Sequence, residues 1–122
     1  MGKKVLLVED EKNVILGVRT CLDAVGYDVE IAEDGEEGLN AVRREHPDLI
    51  LLDLLLPKLD GFEVLKVLKS DPETAKIPVI VLTAKAEEED RQRALDLGAD
   101  NYMTKPFKPQ ELWDRLKGYL SA

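Results

Sequence analysis

The chain is poor in the residues that do most enzyme chemistry. It has one cysteine, Cys21, and one histidine, His46. A lone cysteine excludes an internal disulfide. Cys21 lies at helical spacing among Val14, Val18, Leu22 and Val25, so a buried structural thiol is expected. His46 precedes Pro47 at a helix end and reads as a surface residue, not a phosphotransfer histidine. No apolar run approaches the roughly 18 residues of a membrane span. The opening Met1-Gly2-Lys3-Lys4-Val5 leads into an apolar run too short for a signal peptide, with no small-residue cleavage site after it. A cytoplasmic protein is expected. Basic residues are outnumbered too, with 17 Lys and Arg against 25 Asp and Glu, a net charge of −8. That disfavours direct contact with nucleic acid or an anionic membrane and suits a metal cation or a basic protein patch.

What is present is alternation. The 122 residues suit one compact domain over 1–122, and 44% apolar residues supply its core. Lys4 to Val8 is a short apolar strand. Glu11 to Val25 has helical spacing and is followed by Gly26. Asp28 to Ala32 alternates like a strand near an edge, and Gly35 to Glu45 is a helix closed by His46-Pro47. Leu49 to Leu52 is the most apolar strand. Gly61 to Lys69 is a short helix, Pro78 to Leu82 a strand and Glu87 to Leu97 a helix. Asn101 to Met103 is a short strand, and Pro109 to Leu120 a final helix with proline at its first position. There is no repeat, linker or low-complexity segment. Five β/α units imply α/β architecture, a flavodoxin-like (βα)5 three-layer sandwich with a parallel sheet in the order 2-1-3-4-5. Function in such sheets gathers at the C-terminal strand ends, beside the switch point between strands 1 and 3.

The polar residues at those ends form a set. Strand 1 ends in Glu9-Asp10, strand 3 in Asp53 and strand 4 in Thr83-Ala84. Strand 5 is followed by Lys105-Pro106. A carboxylate closing the apolar run Leu49-Ile50-Leu51-Leu52 is costly to desolvate without a partner or a task. Three carboxylates with no nearby His or Cys are hard, oxygen-only ligands, which favours Mg²⁺, or Mn²⁺, over zinc. An Asp beside such a metal can be a nucleophile toward phosphorus. Thr83 could then bond one phosphoryl oxygen and Lys105 pair with another. Each residue alone has a plainer reading. Glu9-Asp10-Glu11 also suits a helix N-terminus, Asp53 a turn cap, Thr83 a loop hydroxyl and Lys105 a solvated charge. Their joint placement at successive strand ends outweighs those readings.

Val8-Glu9-Asp10-Glu11, Leu52-Asp53-Leu54 with Pro57 and Asp60-Gly61, Leu82-Thr83-Ala84, and Gly98-Ala99-Asp100-Asn101-Tyr102 leading to Lys105-Pro106-Phe107 together resemble the CheY-like receiver domain of two-component response regulators, over essentially the whole chain. The resemblance implies a phosphoacceptor switch rather than an enzyme. By it, Asp53 receives a phosphoryl group from a sensor histidine kinase, with Asp10 binding Mg²⁺ directly, Glu9 acting through water and the backbone carbonyl of Leu55 completing the ligand set. Thr83 and Lys105 correspond to the family's hydroxyl and lysine. Tyr102 corresponds to the switch aromatic, whose ring turns inward as Thr83 moves. The Lys105-Pro106 bond should be cis. Glu9 stands where many members have Asp. Leu55 and Lys85 occupy positions that tune hydrolysis of the aspartyl phosphate, and since Leu55 cannot orient a water, a moderately long-lived phosphoryl state is expected.

The helix 4, strand 5 and helix 5 face carries Arg91, Arg93, Asp96, Asp100, Glu111, Arg115 and Lys117. It reads either as solvated surface or as a homodimer interface like that of receivers joined to winged-helix DNA-binding domains. The run Glu87-Glu88-Glu89-Asp90-Arg91 and Arg115 are similar to that subgroup, while Asn101 stands where it often has Asp. The kinase is expected on helix 1 near Val14, Ile15 and Val18. Rival readings are a haloacid-dehalogenase-type Mg²⁺ phosphatase, a flavodoxin-like cofactor binder and a phosphorylation-independent interaction module. The phosphatase would want an acid where Leu55 stands. The cofactor binder would want a small-residue phosphate loop where Glu9-Asp10-Glu11 stands.

Overall fold

A computed structural model describes residues 2–120. Strands β1 (Lys4–Val8), β2 (Asp28–Ala32), β3 (Leu49–Leu52), β4 (Val79–Thr83) and β5 (Asn101–Thr104) alternate with helices α1 (Lys12–Asp23), α2 (Gly35–Glu45), α3 (Gly61–Ser70), α4 (Glu88–Asp96) and α5 (Pro109–Leu120). The strands form one parallel sheet in the order β2-β1-β3-β4-β5, as expected. Every residue of β3 and β4 is buried, which is why both read as unbroken apolar runs. At the sheet edge, β2 is buried only at Ala32.

Side-chain parity along the strands divides the core in two. Leu6, Val8, Ile50, Leu52, Val79 and Val81 pack against α2, α3 and Ala94 of α4. Val5, Leu7, Leu49, Leu51, Ile80 and Leu82 pack against Val18, Cys21 and Leu22 of α1 and Leu112, Leu116 and Leu120 of α5. Cys21 is buried, as expected. Among the described residues no helix is long and apolar enough to cross a membrane.

Two apolar expectations on α1 are corrected. The helix ends at Asp23, and the chain then tightens into three-residue turns, with Val25 N–H donating to Leu22 O and Gly26 N–H to Asp23 O. Val25 therefore leaves the helical face and is 47% exposed. Val18 is fully buried beneath the helix and cannot touch a partner. The exposed apolar side chain of α1 is Leu16, with Val14 and Ile15 half-buried. Elsewhere the boundaries shift by a residue. Strand β4 starts after Pro78, whose carbonyl accepts the Ile50 N–H, and β5 runs on to Thr104.

The connection from β3 to α3 holds one strained residue. Lys58 has φ 67°, and the Leu59 N–H donates to the Pro57 carbonyl at 2.7 Å around it. This is a γ-turn of the positive-φ kind, which a side chain disfavours. The exposed Lys58 ammonium reaches only 3.7 Å from Asp34, a contact worth little in water. Lys58→Gly should therefore stabilise the fold by roughly 0.5–1 kcal/mol, read as a higher urea midpoint at an unchanged slope. An unchanged or lower midpoint would mean that the lysine's contacts outweigh its backbone strain.

Candidate functional site

The parallel register sets the site. Val8 pairs with Leu52, and Thr83 with Thr104, so the residues that follow emerge together at one end of the sheet. The backbone ladder continues one step past the strands. Glu9 N–H donates to Ala32 O, Asp53 N–H to Val8 O and Lys105 N–H to Thr83 O. Those bonds carry the sheet's hydrogen-bonded backbone into the site.

Carboxylate oxygens of Glu9, Asp10 and Asp53 all lie within 4.8 Å of one another. Glu9 and Asp53 are buried and Asp10 is exposed. The Lys105 ammonium bridges the two buried acids, 2.7 Å from Glu9 Oε1 and 3.1 Å from Asp53 Oδ2. Glu9 Oε2 accepts the N–H groups of Asp10 and Glu11, and Asp53 Oδ1 accepts that of Leu55. Thr83 is fully buried at the neighbouring strand end, where its Oγ accepts the Lys85 N–H at 3.4 Å. The Leu55 side chain is 53% exposed beside the cluster.

Two buried acids thus share one ammonium, with Asp10 exposed beside them. Burial pushes the Glu9 carboxyl up to about 7, helped by the Asp53 charge and only partly offset by Lys105. Burial alone would lower Lys105, but its bond to Glu9 and the charges of Asp53 and Glu9 outweigh that and leave it raised. Unfolded, Glu9 would titrate near 4.5. Between that pH and about 7 the metal-free folded protein holds a proton that the unfolded chain has lost. Glu9 should therefore make metal-free stability fall as pH rises through this window. Urea unfolding of wild type and Glu9→Gln in EDTA isolates the effect. The wild type's deficit relative to the variant should grow from pH 5 to pH 8, and a constant difference would contradict the assignment.

Tyr102 is buried, and its hydroxyl donates to the Lys85 carbonyl at 2.6 Å. In this structure the ring is therefore already inward, beneath the loop that follows Thr83. The Lys105-Pro106 peptide bond is cis, as the resemblance implies. His46 is exposed at the C-terminal cap of α2, away from the site.

The charged face is more varied than its composition suggests. Arg91, Asp96 and Glu111 are exposed. Arg115 donates to Asn101 Oδ1 and to the Tyr102 carbonyl, fastening α5 to β5. One Asp100 oxygen accepts both the Val79 N–H and Lys69 Nζ, so this carboxylate braces β4 and α3 within the chain. Arg93 lies 3.9 Å over the Phe62 ring and faces α3.

Sequence reasoning gave Gly61 no role of its own. A Cβ there would come within 2.4 Å of the Asp53 carbonyl and of Leu54 Cα. Only a glycine lets α3 begin so close behind the acidic residue. The pair Asp60-Gly61 carried that signal, with Asp60 capping the helix by accepting the Phe62 N–H.

The profile of the response regulator receiver domain family matches residues 5–117. The chain belongs to this family. Receiver domains are the phosphoacceptor modules of two-component signalling, switches rather than conventional enzymes, and they partner sensor histidine kinases. This receiver is 49% identical, over 98% of its length, to the alkaline phosphatase synthesis transcriptional regulatory protein PhoP of Bacillus subtilis (strain 168), of which it covers 49%. It is 44% identical, again over 98% of its length, to the phosphate regulon transcriptional regulatory protein PhoB of Escherichia coli (strain K12), of which it covers 52%. The chain thus spans about half the length of these relatives, and they match the winged-helix subgroup that its motifs resemble. The receiver domain of the Pseudomonas aeruginosa sensor histidine kinase PA1611 superposes with a TM-score of 0.92 at 33% identity, over 100% of both chains. That structure has a magnesium ion coordinated in its active-site cleft.

Proposed function

We propose that this receiver accepts a phosphoryl group on Asp53 from a kinase phosphohistidine, with Mg²⁺ held at Glu9, Asp10, Asp53 and the Leu55 carbonyl. The observation that carries this reading is the cluster itself, three carboxylates within 4.8 Å of one another and a lysine 3.1 Å from Asp53. The donor set fits Mg²⁺, being hard, all-oxygen and narrow enough to close on an ion with ligands at roughly 2.0–2.1 Å. Mn²⁺ fits the same set. When bound, the cation supplies charge neutralisation for oxygens of the acceptor and of the phosphoryl group. Glu9 has its oxygens engaged by Lys105 and two backbone N–H groups. That favours Glu9 acting through water and Asp10 as a direct ligand.

In the transfer, an Asp53 oxygen bonds to phosphorus as the phosphorus–nitrogen bond of phosphohistidine breaks, and the imidazole leaves with the bonding pair. Lys105 faces a phosphoryl oxygen as a fixed positive charge, and the Thr83 hydroxyl donates to another. Ala84 is small and exposed, and leaves the approach open. The product adds roughly −1.5 to −2 of charge to the site. Thr83 and Lys105 draw toward it, and Tyr102 stays packed under the Lys85 carbonyl. Phosphorylation thus stabilises the inward ring and biases the α4-β5-α5 face toward one of two arrangements.

That face would then meet a second copy through Arg91, Asp96, Glu111 and Arg115, with Asp100 entering already braced to Lys69 and Val79. The kinase would dock over α1. There a groove of about 560 Å³ runs between Val14 and Gly17 on one side and Pro106 and Phe107 on the other. This acidic segment makes no direct nucleic-acid contact. The exchange takes place in the cytoplasm. The exposed Leu55 side chain gives an attacking water no polar guide, so the phosphoryl state is moderately long-lived.

Incubation with a small phosphodonor and MgCl₂, followed by peptide mass mapping, tests the assignment. One phosphoryl mass gain on the peptide containing Asp53, absent in EDTA, is expected. A gain on another residue, or none, sinks it.

A further inference from the structure

We propose that the N-terminus of α2, through Gly35, seats the loop between Asp53 and Gly61, making Gly35 a positioning residue for divalent-cation binding. This rests on the reading of Glu9, Asp10, Asp53 and Leu55 as the metal site.

The loop is anchored by buried Leu54 and by Leu56 and Leu59, which pack against the core, while its other side chains face solvent. Leu55, Pro57, Lys58 and Asp60 are exposed. Within the loop, Gly61 N–H donates to Leu54 O and Leu59 N–H to Pro57 O. Its outer turn rests on α2. The Gly35 N–H points to the Pro57 carbonyl at 3.4 Å. A Cβ on Gly35 would fall 2.3 Å from the Leu59 carbonyl oxygen, 2.7 Å from Leu59 Cβ and 2.9 Å from a Val64 methyl. Asp34 divides its carboxylate across the same junction. One oxygen caps α2 by accepting the Glu37 N–H at 2.8 Å, and the other lies 3.7 Å from Lys58 Nζ. The strained turn at Lys58 is thus pressed against the helix start by backbone-to-backbone contact that no side chain can enter.

The consequence reaches the acidic cluster along a short path. A methyl at Gly35 must push Leu59 outward. At its other end the loop is pinned by the approach of Gly61 to Asp53 and Leu54. The displacement therefore falls on Leu55 and Leu56, and the Leu55 N–H also bonds Asp53 Oδ1. Mg²⁺ demands near-octahedral geometry, so a shift of a fraction of an ångström there weakens binding. Supports outside a metal's own ligands typically change affinity by roughly 10–100-fold.

The test is calorimetric titration of MgCl₂ into wild type, Gly35→Ala and Gly118→Ala, well below their unfolding temperatures. A Cβ on Gly118 meets nothing within 4 Å, so that variant should bind as wild type does. Gly35→Ala should bind Mg²⁺ at least about tenfold more weakly while keeping the native circular dichroism spectrum. Wild-type-like affinity in a folded Gly35→Ala overturns the proposal and leaves the metal site intact. Failure of wild type itself to bind Mg²⁺ overturns the site reading on which it rests. Should Gly35→Ala not fold, wild-type amide spectra decide. Under the proposal, the Gly35 and Leu59 amides shift with the same Mg²⁺ midpoint as that of Leu55. A Gly35 amide that stays still while Leu55 moves overturns it.

Discussion

Asp53→Asn should abolish Mg²⁺-dependent phosphoryl uptake and, in EDTA, unfold at a higher urea concentration than wild type. The two effects share a cause. In the metal-free protein Asp53 and Glu9 are both buried and divide one ammonium between them. The Asp53 charge helps push the Glu9 carboxyl up to about 7. An amide of the same shape removes one negative charge, leaves Glu9 and Lys105 as a neutral pair, and keeps an oxygen for the Leu55 N–H. A gain of about 1 kcal/mol is expected, the usual sign when a functional charge is removed from a strained site. With millimolar MgCl₂ the gap should narrow or reverse, because only wild type keeps the full proposed ligand set and would gain from binding. A variant less stable than wild type in EDTA would show that the Asp53–Lys105 contact outweighs the repulsion between the acids.

Lys105→Met should be damaging in both respects. Its ammonium is the only cation among the described residues within ion-pair distance of either Glu9 or Asp53. Without it two buried carboxylates face each other. Removing one partner of a buried ion pair costs roughly 3–5 kcal/mol, and that loss should appear in EDTA at pH 8. At pH 6 Glu9 can take up a proton, one charge disappears, and the loss should shrink. Mg²⁺ should restore much of the stability by taking the place of the ammonium. Phosphoryl transfer should still fall by roughly 10²–10³-fold, because the proposed mechanism would lose the fixed positive charge facing its transition state. Stopped-flow measurement with a small phosphodonor at saturating Mg²⁺ checks this. A rate within a few-fold of wild type would remove Lys105 from the transfer step.

Much of this arrangement was legible in the chain. Unbroken apolar runs marked β1, β3 and β4 because strands covered on both faces need no polar side. Gly35 to Glu45 and Pro109 to Leu120 matched their helices because caps and prolines punctuate them. The carboxylates and Thr83 stand out because they follow, or close, apolar strands, and Lys105 because it follows the neighbouring β5. What failed was set by contacts outside the local pattern. Val25 continued the helical period, but the chain had already turned after Asp23. Val18 carried the same pattern as Val14 and Ile15, yet depth beneath α1 separates them. Nothing in a lysine announces φ 67° at position 58. That conformation follows from the loop's closure onto α2. The inward ring of Tyr102 depends on a carbonyl 17 residues away. Arg93 and Asp100 are exposed on the charged face, and their contacts with Phe62, Lys69 and Val79 are tertiary pairings that spacing does not encode.

The bond between Lys105 and Glu9 joins residues 96 positions apart. A nascent chain therefore cannot carry the finished cluster until β5 has left the ribosome and docked. The same holds for a chain clipped anywhere between these residues once its pieces separate. Incomplete or clipped copies would lack the ammonium beside Glu9 and Asp53, so a finished cluster is the mark of a chain folded through β5.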